Sequence, residues 1–341
     1  MTAEPSPPGR RPRLGFLGVG WIGRHRMEAI LEAGAGEAVA ISDPSPDALA
    51  AAQTLAPAAR AVPDLDAMLR EELDGVVIAT PSADHAAQSI RALRAGAAVF
   101  CQKPLGRTEA ETRAVIAAAR AADRLLDVDL SYRGAEAARR VRELVRAGQL
   151  GRVFAADLTF HNAYGPDKPW FYDRARSGGG CVVDLGVHLV DLALWTLGFP
   201  AVEGAEAALF ANGAALGPGA EAVEDCAFAT LRLEGGAVAR LACSWRLHAG
   251  QDAVIEASFY GTEGAASFRN VGGSFYDFRA ERFRGTSREA LVEPPDAWGG
   301  RAAVAWAERL GGGARFEPEC ENLGAVAAAL DRIYGRPAPR T

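Results

Sequence analysis

Lysine is nearly missing from this 341-residue chain: Lys and Arg together number 37, yet only Lys103 and Lys168 are lysine. Cysteine is scarce and scattered. Cys101, Cys181, Cys226, Cys243 and Cys320 are odd in number and form no CxxC pair. That excludes a disulfide framework and a zinc ribbon, and it suits a reducing compartment. No apolar run approaches the roughly 18–20 residues of a membrane span, so no membrane partner is expected. The net charge of −6 leaves no basic excess for a broad nucleic-acid footprint. Arginine-rich RRVRELVR (139–146) reads as the wet face of a helix. No cluster of His, Cys or acidic residues has ligand spacing, and no metal is expected.

What is present describes a globular protein, with 49% hydrophobic and 23% charged residues. Single cores stop growing at roughly 250–300 residues, so the length suggests two domains. Residues 1–12, rich in Pro and Arg, read as a loose tail. Arg10 and Arg11 precede the apolar LGFLGVGWIG as in a twin-arginine signal. Cleavage there would remove a nucleotide-binding fingerprint, so a cytoplasmic protein is expected.

From 13 to 132, short apolar runs alternate with helical stretches, the pattern of a doubly wound parallel sheet. Strands are predicted at 14–18, 38–42, 75–80, 97–101 and 125–130, with a short one near Ala61 and Val62. Helices are predicted over 83–96 and 108–123. Beyond residue 150 the rhythm changes to strands in series: 153–161, a hairpin over 226–247 turning at 234–236, and another over 254–268 turning at 261–264. That indicates an antiparallel or mixed sheet in a second domain, 133–341. A long helix over 182–198 interrupts it, and a last helix spans 321–335.

The first strand runs into Gly18-Val19-Gly20-Trp21-Ile22-Gly23 and then a helix. Glycines there permit a tight turn and close backbone approach to a pyrophosphate, and the helix N-terminus offers N–H groups to it. The second strand ends at Asp43, placed to accept from an adenosine ribose. A carboxylate there repels a 2′-phosphate, and SDPSPD holds no arginine to clamp one, so NAD is expected over NADP. Thr80, Pro81 and His85 follow the fourth strand, and Gln102 and Lys103 follow the fifth. Ligands of open α/β sheets bind beyond the carboxyl ends of the strands, so these five residues are expected to line the cofactor crevice.

In SGGGCVVDLGVHLVDLALW (177–195), Asp184 and His188 are four apart and share one helix face. Taken alone, Asp184 reads equally well as a first-turn acid and His188 as a satisfied helix histidine. The three glycines allow close approach of another group, or simply a flexible turn. Tyr132, Arg133, His161 and Trp170 are candidates for a substrate pocket.

TPxxxH, then QKP, then GGGxxxDxGxH before an apolar helix, all after strand–GxGxxG–helix, resembles the Gfo/Idh/MocA family of NAD(P)-dependent oxidoreductases, over nearly the whole chain. The resemblance implies a Rossmann domain joined to an α/β domain with an open, mainly antiparallel sheet. In many members that sheet is an oligomer interface, so a homodimer or homotetramer is expected. It implies catalytic roles for Lys103, Asp184 and His188. Two positions depart from the family pattern: Gln102 replaces the commoner glutamate of EKP, and Arg26 stands where a histidine is frequent, with His25 one residue early.

The expected reaction is hydride transfer between a carbinol carbon of a sugar, inositol or related polyol and nicotinamide. His188 would act as the general base and Lys103 as donor to the reacting oxygen, with Asp184 orienting the substrate hydroxyl, His188 or both. Alternatives are a reductase of another small substrate (an imine, a dihydrodiol or a tetrapyrrole), an NAD-dependent sugar enzyme without net redox, or a dinucleotide sensor.

Overall fold

The apolar runs of the first 130 residues become six parallel strands in a computed structural model that describes residues 10–217 and 219–337. They are β1 (Arg13–Leu17), β2 (Glu37–Ser42), β3 (Arg60–Ala61), β4 (Gly75–Ile78), β5 (Ala98–Cys101) and β6 (Leu126–Val128), ordered β3-β2-β1-β4-β5-β6. β4 and β5 are buried along their whole length, as parallel strands covered on both faces must be. Their ladders end on one row. Gly18 N–H donates to Ser42 O (2.8 Å), Ala79 N–H to Leu17 O (2.8 Å), Gln102 N–H to Ile78 O (2.8 Å) and Asp129 N–H to Cys101 O (2.9 Å). The sheet's carboxyl edge therefore carries the glycine turn, Thr80, Gln102 and Lys103 side by side.

The chain divides into two compact units, one built from residues up to 106, 110–129 and 300–321. A second domain running unbroken from 133 to 341 does not describe this division, because helix Arg301–Gly311 returns to the first unit. Trp306, fully buried, explains the return: its ring packs 5.7 Å from Phe100 and covers Gly75, where a Cβ would lie 2.7 Å from the indole. The tail expected over 1–12 falls outside the described residues as far as 9. Arg10 is held, its guanidinium on the Asp74 carboxylate at 2.8 and 3.1 Å.

The second unit centres on nine strands: β7 (Val153–Asn162), β8 (Val202–Ala211), β9 (Ala214–Ala215), β10 (Cys226–Leu233), β11 (Val238–Ser244), β12 (Ala253–Gly261), β13 (Ala265–Asn270), β14 (Phe278–Arg284) and β15 (Ser287–Val292). Their order is β15-β14-β13-β12-β7-β11-β10-β8-β9, antiparallel except where β11 meets β7. Helices Glu136–Arg146, Val187–Leu197 and Asn322–Ile333 cover one face. The other face is open, with Phe228 half-exposed and Arg240 on Asp157 through two bonds of 2.6 and 2.7 Å.

The stretch Arg174–Leu197 would reach across a membrane by length and composition alone, although Asp184, His188 and Asp191 interrupt its apolar residues. Its most apolar window is 83% buried inside the unit, so it serves as the core helix on which this sheet packs.

Candidate active site

The glycine turn has no room for side chains at two positions. Gly18 has φ +84°, and a Cβ on it would lie 2.5 Å from Ala79 O; one on Gly23 would lie 1.9 Å from Gly18 O. The helix Trp21–Glu32 begins at Gly20 with no side-chain cap. Its first turn, with Trp21, Ile22 and Gly23, presents N–H groups that helix geometry leaves without intrahelical acceptors. These features fit a dinucleotide pyrophosphate. Asp43 braces the turn: one carboxylate oxygen accepts from Val19 N–H (2.8 Å), the other from Ser45 N–H (2.9 Å). Both oxygens keep a further lone pair for a ribose hydroxyl.

Past β4, the Thr80 hydroxyl donates to the Gln88 side-chain carbonyl at 2.6 Å, with Pro81 next in the chain. His85 differs from expectation. It is 1% exposed, and its two ring nitrogens lie 2.7 Å from Thr80 O and 2.7 Å from Pro104 O. It ties the segment after β4 to the segment after β5 instead of lining a crevice. Burial lowers its pKa by more than the two carbonyls raise it, which leaves a neutral ring that donates from one nitrogen only.

Lys103 is half-buried just past β5. Beside it, the Gln102 amide and the Arg26 guanidinium (2.6 Å) both donate to Asp129 Oδ2, and Arg26 also donates to His25 Nδ1 at 2.9 Å. Gln102, Arg26 and Asp129 are all buried. Asp129 escaped the sequence reading because both its partners lie far away in the chain. Cys101, at the end of β5, is buried, and burial pushes its pKa up to about 12, so it is no nucleophile.

In the second unit, Asp184 lies in a π-helical turn, Val182–Gly186, that runs into the α-helix bearing His188. Single π-turns within α-helices are frequent at functional sites, and the wider turn keeps residues four apart on one face. The Trp245 indole N–H donates to Asp184 Oδ2 at 2.9 Å. Arg246, next to it, is held at φ +61°, a backbone conformation rare outside glycine. Its neighbours anchor the strain, Trp245 N–H on Asp225 O (2.6 Å) and Leu247 N–H on Asn162 O (2.9 Å). His188 is buried, with the Tyr132 ring edge-on at 4.9 Å and Phe160 at 6.3 Å. Burial first, then Asp184 and Tyr276, push the Tyr132 pKa up.

The glycines before this turn are there for close approach. A Cβ on Gly179 would lie 2.1 Å from the Tyr334 hydroxyl, and one on Gly180 1.9 Å from Glu224 O. Trp170 stacks on Phe171 at 3.8 Å, and Phe171 meets Trp245 edge-on, so Trp170 joins the aromatic group around Asp184.

Two substrate candidates lie elsewhere. Successive residues of a strand face opposite ways, so with Phe160 against His188, His161 faces the other side of the sheet. There its Nδ1 is 2.7 Å from the Ser244 hydroxyl. Arg133 binds the buried Asp191 through Nε (2.9 Å) and Nη2, with the Trp195 and Phe199 rings at 5.9 and 5.6 Å. That guanidinium is engaged in packing the core helix.

Comparison with known proteins decides the family. Residues 13–130 match the model of the oxidoreductase family with an NAD-binding Rossmann fold, and 138–267 match the GFO/IDH/MocA C-terminal domain. The 1,5-anhydro-D-fructose reductase of Ensifer adhaerens is 31% identical over 264 residues, 76% of each chain. This chain belongs to the Gfo/Idh/MocA family. It is an NAD(P)-dependent oxidoreductase, and its relatives act on sugars and polyols. Among solved structures, levoglucosan dehydrogenase in complex with NADH and levoglucosan aligns with a TM-score of 0.81 at 20% identity, over 95% of this chain and 96% of that one. KijD10, a 3-ketoreductase from Actinomadura kijaniata in complex with NADP and TDP-benzene, gives 0.80 at 22% identity, over 95% and 97%. At such identities these two establish the fold.

Proposed function

We propose that the protein interconverts a carbinol and a ketone on a sugar or polyol ring, with NAD preferred, and that Lys103, Asp184 and His188 carry the chemistry. One observation carries this reading: a single helix bears an aspartate fixed by an indole N–H and, four residues on, a buried histidine ringed by Tyr132 and Phe160. In oxidation a His188 ring nitrogen takes the hydroxyl proton, and in reduction it returns that proton to the alkoxide; an imidazole titrates in the range that suits both directions. Gly18–Gly23 and Asp43 would hold NAD, which would supply the acceptor for the hydride that leaves the carbinol carbon with its electron pair. The Lys103 ammonium donates to the reacting oxygen and stabilises its alkoxide character. Asp184 orients the hydroxyl, His188 or both. Asp43, with no arginine over 44–47, supports NAD over NADP. The open face of the nine-stranded sheet supports a homodimer or homotetramer, and five free cysteines support action in the reducing cytoplasm.

The test is a panel of 1,5-anhydro-D-fructose with NADH and NADPH, and of myo-inositol, levoglucosan, D-apiose and methyl glucosides with NAD and NADP, followed by absorbance of the reduced nicotinamide. Turnover of at least one sugar or polyol, faster with the non-phosphorylated dinucleotide, is expected. Dinucleotide binding without turnover of any of them would overturn the reading.

A further inference from the structure

Glu224 lies two residues before β10, far in sequence from the helix that bears Asp184, and it is 2% exposed. One of its carboxylate oxygens accepts three bonds: from Gly180 N–H (2.9 Å), Val182 N–H (3.0 Å) and the Tyr334 hydroxyl (2.6 Å). Its backbone carbonyl accepts from Cys181 N–H at 2.9 Å. One residue thus takes up three successive N–H groups where the Asp184 helix begins. A helix start buried in a protein needs such acceptors, and its partial positive charge favours an anion.

The next residue reaches the same carboxylate by another route. Asp225 O accepts from Trp245 N–H, and the Trp245 indole in turn donates to Asp184 Oδ2. Glu224–Asp225 therefore fixes Asp184 from two sides, through the helix that bears it and through the indole that holds it. The C-terminal segment reinforces the first arm: Tyr334 bonds Glu224, and Arg336 bonds Gly178 O as well as Asp331 (2.9 Å). We propose that Glu224 is a positioning residue, which sets where the Asp184 carboxylate points and so sets the rate of the chemical step. This rests on the reading that Asp184 takes part in the reaction.

The test is a double-mutant cycle with Glu224→Gln, Asp184→Asn and both, using the panel substrate that turns over fastest. Glu224→Gln is expected to lower kcat by about 10–100-fold, the effect of a small misplacement of a reacting group, with NAD affinity changed by less than about twofold. In the Asp184→Asn background the same substitution is expected to change kcat by less than about twofold, because residues that act as a unit are not additive. An equal loss in both backgrounds would overturn the inference and leave Glu224 a residue of fold stability. Wild-type kcat in Asp184→Asn alone would instead sink the reading of the reaction, a distinct outcome.

A substrate-free readout runs alongside. Of six tryptophans, the indole ¹⁵N–H resonance of Trp245 is expected to move in Glu224→Gln towards its position in Asp184→Asn, while the other five stay. An unmoved Trp245 signal would also overturn the inference. Tyr334→Phe, which leaves the carboxylate in place, reads the same coupling should Glu224→Gln fold poorly.

Discussion

Arg26 and Gln102 donate to the same atom, Oδ2 of Asp129. These two positions are the ones that the motif resemblance sets apart, and the shared acceptor makes them one arrangement. A glutamate at 102 would set its carboxylate against Asp129 in a buried site. Glutamine gives that carboxylate a donor, and arginine at 26 supplies the compensating charge.

Gln102→Glu is accordingly expected to destabilise the fold in a pH-dependent way. Burial and Asp129 would raise the pKa of the new carboxyl above its unfolded value of about 4.3. The folded state then holds a proton that the unfolded state releases, so the loss is small near pH 5 and grows towards pH 8. Melting temperatures of both proteins across that range are the measurement. Parallel curves would mean that Arg26 neutralises both carboxylates.

The sequence made the framework legible because its signals are local. Alternating runs give the six-stranded sheet, and glycine spacing gives the dinucleotide turn. What it hid depends on partners distant in the chain. Trp306 draws helix Arg301–Gly311 to the first unit, and nothing near it in sequence announces Phe100 and Gly75. Strand alternation turns His161 away from the face that bears His188, and an ion pair with Asp191 occupies Arg133. Trp245 and Glu224 were missed because each acts on Asp184 from another strand end, with no motif of its own.

His85 should register in the acid limb of stability. Its pKa in the fold is lowered by burial, so the unfolded chain binds the proton more readily, at about 6.5. Its contribution is therefore complete above that pH and is lost as pH falls, by at most about 1.4 kcal/mol per pH unit. His85→Gln keeps a donor for one carbonyl and removes the titration. Its melting temperature is expected to fall less between pH 7 and pH 5 than that of the wild type. Identical slopes would assign the acid sensitivity to other groups.

Asp43→Ala tests the cofactor preference, with a complication that the structure exposes. The carboxylate also accepts from Val19 N–H in the glycine turn, so its loss loosens the pyrophosphate cradle for either dinucleotide. NAD affinity is expected to fall further than NADP affinity, because only NADP gains by relief of repulsion. Titration of both into wild type and variant reads the two terms separately. A wild-type protein that binds NADP more tightly than NAD would refute the assignment at the outset.

Lys103 is pinned on both sides by its backbone. The N–H of Gln102 closes onto Ile78 O, and Pro104 O lies 2.7 Å from the His85 ring. A lysine so placed presents a compact ammonium from a fixed starting point, whereas arginine would present a larger planar fork further out. If the reaction needs only a positive potential, Lys103→Arg keeps most activity and Lys103→Met loses it. If it needs a donor placed to within about 0.5 Å of a developing alkoxide, both fail. We expect both to fail, by about 10²–10³ in turnover, the usual effect of removing one such donor. NAD should still bind to each, since the glycine turn and Asp43 are untouched. The comparison therefore pairs turnover on the fastest panel substrate with NAD affinity measured by fluorescence. Near-wild-type turnover in Lys103→Arg would show that charge alone suffices, and one of only two lysines in the chain would lose its role as a placed donor.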